Sequence, residues 1–151
     1  MSVTITKLNI CDYHKCSNIW NMEKHKAMAD KFYEEIVSGN RVNYIYAIDG
    51  EYIAEISLVY EMNDSDYTIL GKRAYVSRLV VKKSFRQKGI GKELVKFIKI
   101  KAKEEGFSEI SIGVDLDNYP AIKLYAQSGF NQIVSVDEDK DGKFMKLLCV
   151  L

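Results

Sequence analysis

The chain opens on a near-alternation of apolar and polar residues. In SVTITKLNI, Val3 and Ile5 fall on one face of a strand, with Leu8 close behind. Asp12 is placed to cap a helix running to about Met22. In KAMADKFYEEIVSGN the period lengthens: Met28, Phe32 and Ile36 recur every four residues, so a second helix is predicted, ending at Gly39-Asn40. Across residues 42–61 the period returns to two. Asp49-Gly50 divides that run into a hairpin, because both turn positions tolerate positive φ. In its second arm Tyr52, Ala54, Ile56, Leu58 and Tyr60 share one face. Ile53, Glu55, Ser57, Val59 and Glu61 share the other.

A polar loop, MNDSDYTILGK, leads to a β-branched and aromatic strand over residues 73–81. After it, Ile90, Leu94, Ile98 and Ala102 form the stripe of an amphipathic helix, supported by Val95 and Phe97 and stopped at Gly106. FSEISIGV predicts another strand. NYPAIKLYAQSG predicts a short helix, with Asn118 near its cap, Pro120 in its first turn and Gly129 beyond its end. Two strands, about 130–136 and 143–150, flank DEDKDG. The order β-α-α-β-β-β-α-β-α-β-β is mixed α/β. The hairpins must be antiparallel, and the strand–helix–strand unit over 76–112 a parallel crossover.

With 151 residues, no repeat and no linker, the chain 1–151 reads as one domain. Three cysteines without paired spacing and an N-terminus unlike a signal peptide predict reduced thiols and a cytoplasmic protein. Cys11, His14, Cys16 and His25 match no zinc pattern, so no metal is expected. No apolar run approaches the roughly 20 residues that span a bilayer. The net charge of +1 hides an asymmetry: residues 82–103 carry nine Lys or Arg against one acid, Glu93. By itself that pattern describes a solvated helix face.

The basic run surrounds the turn FRQKGIGKEL. A helix N-terminus exposes unpaired N–H groups and partial positive charge. Gly89 and Gly91 lack a Cβ and let a ligand approach the main chain. Arg86, Lys88 and Lys92 add charge, and the three features converge on a phosphate or pyrophosphate. The turn is not a Walker A loop, since Glu93 follows Lys92 and the glycines are too close together.

Arg86-Gln87-Lys88-Gly89-Ile90-Gly91 resembles the Arg/Gln-x-x-Gly-x-Gly/Ala signature of the GCN5-related N-acetyltransferases (GNAT). A second signature of that family is similar to VDLDNYPAIKLYAQSGF, through Asn118, Ala121, Leu124, Tyr125, Gly129 and Phe130. The resemblance implies a GNAT-like fold: a mixed, mostly antiparallel seven-stranded sheet flanked by about four helices. It implies acetyl-CoA as co-substrate, with the pyrophosphate on the N–H groups of Gln87, Lys88, Gly89, Ile90, Gly91 and Lys92 and beside Arg86. The pantetheine arm would lie along Leu79, Val80 and Val81 between two splayed strands, and Asn118 and Tyr125 would also contact the cofactor.

The reaction implied is transfer of an acetyl group to a primary amine by direct attack in a ternary complex. Tyr125 would be the general acid, and the backbone N–H near Leu79 would polarise the thioester. Relatives often carry an acid just before the position of Leu79, where this chain has Arg78. Glu55, on the less apolar face of its strand, is the first candidate for the general base. Glu61, Asp64 and Asp66 could join Glu55 in an acidic mouth for a cationic amine. A small-molecule or peptide amine is the expected partner, with a homodimer left open and nucleic acid not favoured. Two rival functions predict different behaviour. A non-catalytic acyl-CoA sensor would bind CoA without turnover, and a nucleic-acid binder using the Lys82–Lys103 stripe would show salt-dependent affinity.

Overall fold

A computed structural model describes residues 1–151. Its elements are β1 (Val3–Lys7), a 3-10 helix (Ile10–Asn18), α1 (Lys26–Ser38), β2 (Arg41–Ile48), β3 (Glu51–Val59), β4 (Arg73–Val76) and β5 (Val80–Val81). After a short 3-10 turn (Lys83–Phe85) come α2 (Ile90–Glu104), β6 (Glu109–Asp115), α3 (Tyr119–Gln127), β7 (Phe130–Asp139) and β8 (Gly142–Val150). The strands form one sheet in the order β1-β2-β3-β4-β6-β8-β7, with β5 also on β3. Only β4 and β6 run parallel, joined across α2 as the crossover pattern requires. This is the mixed, mostly antiparallel α/β sheet of the GNAT fold, seven strands wide with β5 continuing the line of β4.

Local chemistry accounts for most boundaries. Asp49 and Gly50 both take positive φ, 50° and 82°, which closes the β2–β3 hairpin. Gly39 at φ 85° ends α1 and lets its N–H reach back to the last carbonyls. The stripe of α2 is buried as patterned: Ile90, Leu94, Val95, Ile98 and Ala102 pack on Ile53, Ile56, Leu58 and Ile110 of the sheet. A smaller core of Leu8, Tyr13, Cys16, Ile45 and Ala47 lies on the opposite face, under the 3-10 helix and α1.

Three expectations are corrected. The first helical segment is a 3-10 helix over Ile10–Asn18, capped by Asn9, whose side-chain oxygen accepts from the Cys11 N–H; Asp12 is inside it. Met28 is 39 % exposed, and α1 instead turns Ala29, Phe32 and Ile36 inward. The β2–β3 ladder slips at Tyr46/Ala47, where Ile53 is the extra residue. That bulge puts Ile53 into the main core and Tyr52 on the opposite face, beside Ala47, reversing the two from strict alternation.

Candidate active site

The sheet is opened at its centre by the segment predicted as one long strand. β4 pairs with β6 only from Arg73↔Glu109 to Tyr75↔Ser111. Ser77 still donates its N–H to the Ser57 carbonyl at 3.0 Å, Arg78 and Leu79 then leave the ladder, and the chain re-pairs with β3 alone, through Glu55↔Val80 and Ala54↔Val81. The register on β3 shifts by one across this break, as a bulge demands. From Ile112 onward β6 is bonded to β8 only. Two parallel strands thus diverge, each with one edge unpaired, and an extended ligand with amide groups can fill the wedge. Arg86 already holds one group there, donating Nε–H to the Val81 carbonyl at 3.1 Å.

The glycine turn closes one end of the wedge. Gln87 adopts φ 62° and Gly89 φ 83°, so the main chain coils tightly before α2 begins. The first helical bond is Glu93 N–H to Gly89 C=O; the six N–H groups from Gln87 to Lys92 donate to nothing in the protein. Six unpaired donors at the positive end of a 15-residue helix form an anion cradle. A side chain on Gly89 would meet nothing within 4 Å, so its glycine is required by φ alone. Gly91 differs: a Cβ there would stand 3.4 Å from Leu124 and 3.8 Å from Leu79, where α2, α3 and the wedge meet.

Wedge and cradle are one cleft of about 740 Å³. It brings together Leu79, Val80, Val81, Arg86, Gln87, Gly89, Ile90, Gly91, Lys92, Asn118 and Tyr125 of the expected set. Lys88 does not line it and lies over the Phe85 ring at 5.3 Å. The lining includes three cations, Arg78, Arg86 and Lys92, and no carboxylate. Sequence reasoning missed Arg78 and Phe85 as lining residues. Pro120, Ala121 and Leu124 also line the cleft. Ala121 and Leu124 belong to the second signature, and Pro120 was legible only as part of the first turn of α3.

Asn118 caps α3, its Oδ1 accepting from the Ala121 N–H at 3.3 Å. Seven residues on, Tyr125 reaches the cleft from the same helix, 7 % exposed, with its ring edge-on to Phe130 at 5.7 Å. Burial, and secondarily the nearby Tyr75 phenol, pushes the Tyr125 hydroxyl up to about 12. It therefore keeps its proton across the physiological range.

The face of β3 carrying Glu55 is closed by the 3-10 helix and α1. Glu55 is 1 % exposed and does not line the cleft; it accepts from Asn43 Nδ2 at 3.1 Å, and Asn43 Oδ1 accepts from Ser57. Burial holds its carboxyl above the usual carboxylate range, against the pull of Arg78, Cys16, Arg41 and Asn43. Around it lie two guanidinium groups, Arg41 buried and Arg78 half-buried. Arg78 stacks on Trp20 at 4.5 Å; Arg41 stacks on Phe32 at 3.9 Å and donates to Ser77 Oγ at 2.7 Å. The expected acidic mouth is not assembled. Asp64 and Asp66 are spent on Lys146, at 2.8 and 3.2 Å, where Asp137 joins them at 3.0 Å. Cys11 is exposed and Cys16 fully buried, so those two thiols do not share a site.

Comparison with known proteins agrees with this geometry. The family model described as Acetyltransferase (GNAT) family matches residues 5–130. The chain belongs to that family. Over 60 residues it is 43% identical to GCN5-related N-acetyltransferase 4, chloroplastic, of Arabidopsis thaliana, a match covering 40% of this chain and 21% of that protein. The chain thus spans about a fifth of that relative's length. Among solved structures, a PaiA N-acetyltransferase from Thermoplasma acidophilum in complex with coenzyme A superimposes with TM-score 0.71 at 21% identity, covering 100% of both chains. Aminoglycoside 6'-acetyltransferase type Ii gives TM-score 0.77 at 18% identity, covering 97% of this chain and 96% of its own. At those identities the likeness is one of fold.

Proposed function

We propose that this protein is an acetyl-CoA-dependent N-acetyltransferase acting on a primary amine. The observation that carries the reading is the run of six unpaired N–H groups, Gln87 to Lys92, opening onto a wedge between diverging strands. A pyrophosphate matches the cradle and a pantetheine arm, with its two amides, matches the wedge. The coenzyme A bound to the Thermoplasma PaiA structure supports the same assignment. Lys92 and Arg86 would neutralise phosphate charge, Asn118 would bond the arm through its free Nδ2, and Leu79 would offer its backbone N–H to the thioester oxygen.

The acceptor must arrive as a neutral amine. Its nitrogen attacks the thioester carbonyl, the N–C bond forms as the C–S bond breaks, and the nitrogen's extra proton is lost to a base. Tyr125 gives its phenolic proton to the departing thiolate and recovers one from solvent. A phenol held near 12 is a weak acid, and a thiolate generated in a dry cleft is basic enough to take its proton. Glu55 is the candidate base, and because it does not line the cleft it would take the amine's proton through water; burial raises its affinity for that proton.

Thiol release from acetyl-CoA against a panel of amines tests the proposal. Turnover with at least one amine, and a rise in melting temperature with acetyl-CoA alone, are expected. Stabilisation by CoA without turnover of any amine would leave a sensor. The nucleic-acid reading is not favoured, because the basic stripe is partly spent internally: Lys82 pairs with Glu51, Lys101 with Glu104, and Lys99 donates to the Ser128 carbonyl.

A further inference from the structure

The face of β3 opposite the main core holds a cluster of buried donors beside two carboxylates, Glu35 and Glu55. Trp20 Nε1, Arg78 Nε, and Nε and Nη1 of Arg41 are buried, and none has a hydrogen-bond partner in the protein. Buried N–H groups left unpaired are rare and costly. The nearby carboxylates offset the charge of the two guanidinium groups but leave these N–H atoms without a hydrogen bond, and Glu35 Oε1 is itself unpartnered. Glu35 approaches Arg41 only at 3.5 Å through Nη2, and Glu55 is already bonded by Asn43. Arg41 is 3 % exposed, so its charge is fixed in the protein interior rather than dissipated in water.

The location gives the cluster meaning. Arg78 lines the same cleft as Leu79 and Tyr125. Its stacking partner Trp20 lines a second hollow of about 440 Å³, together with Asn18, Lys82 and Lys83. One member of the stack therefore faces each hollow, Trp20 the smaller one and Arg78 the cleft. The charged lining of the smaller hollow is Lys82, Lys83 and Glu23, with Lys82 paired to Glu51 at 3.3 Å. A planar, bidentate oxygen acceptor would satisfy the unpaired donors.

We infer that the acceptor is a small amine carrying a carboxylate, an amino acid or a near analogue. The carboxylate accepts from Arg78 and Trp20, and Arg41 contributes positive potential from behind the Phe32 ring. This rests on the N-acetyltransferase reading and narrows its substrate class.

The test is acetylation of matched acceptors: α-, β- and γ-amino acids, each beside its carboxamide and the simple amine without the carboxyl group. The carboxylate member of each set should show kcat/KM higher by about tenfold or more, the scale of a charge-assisted hydrogen bond. Trp20→Phe keeps an aromatic ring for Arg78 and removes only the indole N–H. It should raise KM for the carboxylate acceptor several-fold, about threefold or more, with KM for acetyl-CoA and melting temperature unchanged. Equal or better turnover of the amides and simple amines would overturn the inference while leaving the N-acetyltransferase reading intact. A carboxylate preference indifferent to Trp20→Phe would overturn the assignment to this cluster. No turnover of any acceptor by protein that binds acetyl-CoA would sink both.

Discussion

The two sides of β3 and β5 solve recognition in different ways. Toward α2 and α3, the cleft is made of main chain: six free N–H groups, two diverging strand edges and apolar walls without a carboxylate. Toward the 3-10 helix and α1, the layer is made of charged side chains stacked on aromatic rings, Arg41 on Phe32 and Arg78 on Trp20. A backbone site tolerates almost any side chain, so its demands fall on the few residues that shape the chain. A side-chain site demands particular residues but leaves the local fold free. Substitutions on the two sides should therefore fail in different ways, and that difference is measurable.

The largest effect should come from the one side chain on which the backbone-built cleft relies for chemistry. Tyr125→Phe removes the proposed proton donor without disturbing the ring contact to Phe130. We expect kcat to fall by about 10²-fold at neutral pH, with KM for acetyl-CoA little changed. Full retention of kcat across the pH range would remove Tyr125 from the mechanism. Gly89→Val comes next. Its Cβ would meet no atom, so the variant is penalised only through φ 83°, at a cost of roughly 1–3 kcal/mol. Relaxing that strain turns the N–H groups out of the cradle, so KM for acetyl-CoA should rise by about tenfold while the protein still folds. Unfolding with cofactor affinity unchanged in the folded fraction would make the turn a purely structural device.

A smaller effect, of opposite sign in stability, is expected on the side-chain face. Glu55 binds its proton more tightly folded than unfolded, because burial penalises its charge. The stability this carboxyl contributes is complete below its unfolded pKa near ~4.3 and is lost as pH rises through the folded value. Glu55→Gln keeps an oxygen for Asn43 and cannot ionise. Its melting temperature should equal or exceed that of the parent at pH 8, with the advantage shrinking toward pH 4. If Glu55 is the base, kcat should fall by about tenfold in the same variant. Unchanged kcat would return the base to water.

The two faces also differed in how much could be read from the chain. The cradle was legible because glycine spacing, basic charge and a β-to-α transition coincide in a dozen residues around Gly89. The helices α2 and α3 were legible from the buried stripe of Ile90, Leu94 and Ile98 and from the Asn118 cap and Gly129. The break in the central strand was not. Ser77, Arg78 and Leu79 carry no residue that announces a bulge, because the register there is set by β3 and β6, which are distant in sequence. The side-chain face was hidden for the same reason. Arg41, Phe32, Arg78 and Trp20 meet only through tertiary packing, and nothing in the sequence marks Arg41, at the head of β2, as buried. Lys146, far from Asp64 and Asp66 in sequence, pairs with both, so the acidic mouth is not assembled.

Asn118 sits where the two modes of recognition overlap, and it gives the smallest and most discriminating effect. Its Oδ1 caps α3 by accepting from the Ala121 N–H, while its Nδ2 has no partner in the protein and the residue lines the cleft. Asn118→Ala removes both roles. It should cost about 1 kcal/mol of stability, as the loss of an N-cap does, and should raise KM for acetyl-CoA a few-fold, about threefold. Asn118→Asp separates them. Aspartate caps as well as asparagine, so stability should be retained, and its charge complements the positive end of α3. It has no N–H to donate, and it adds the first carboxylate to a lining that holds three cations and none. KM for acetyl-CoA should therefore rise at least as much as in Asn118→Ala while the melting temperature stays at the parent value. If both quantities instead track together in the two variants, Asn118 acts on the cofactor only by holding the first turn of α3 in place.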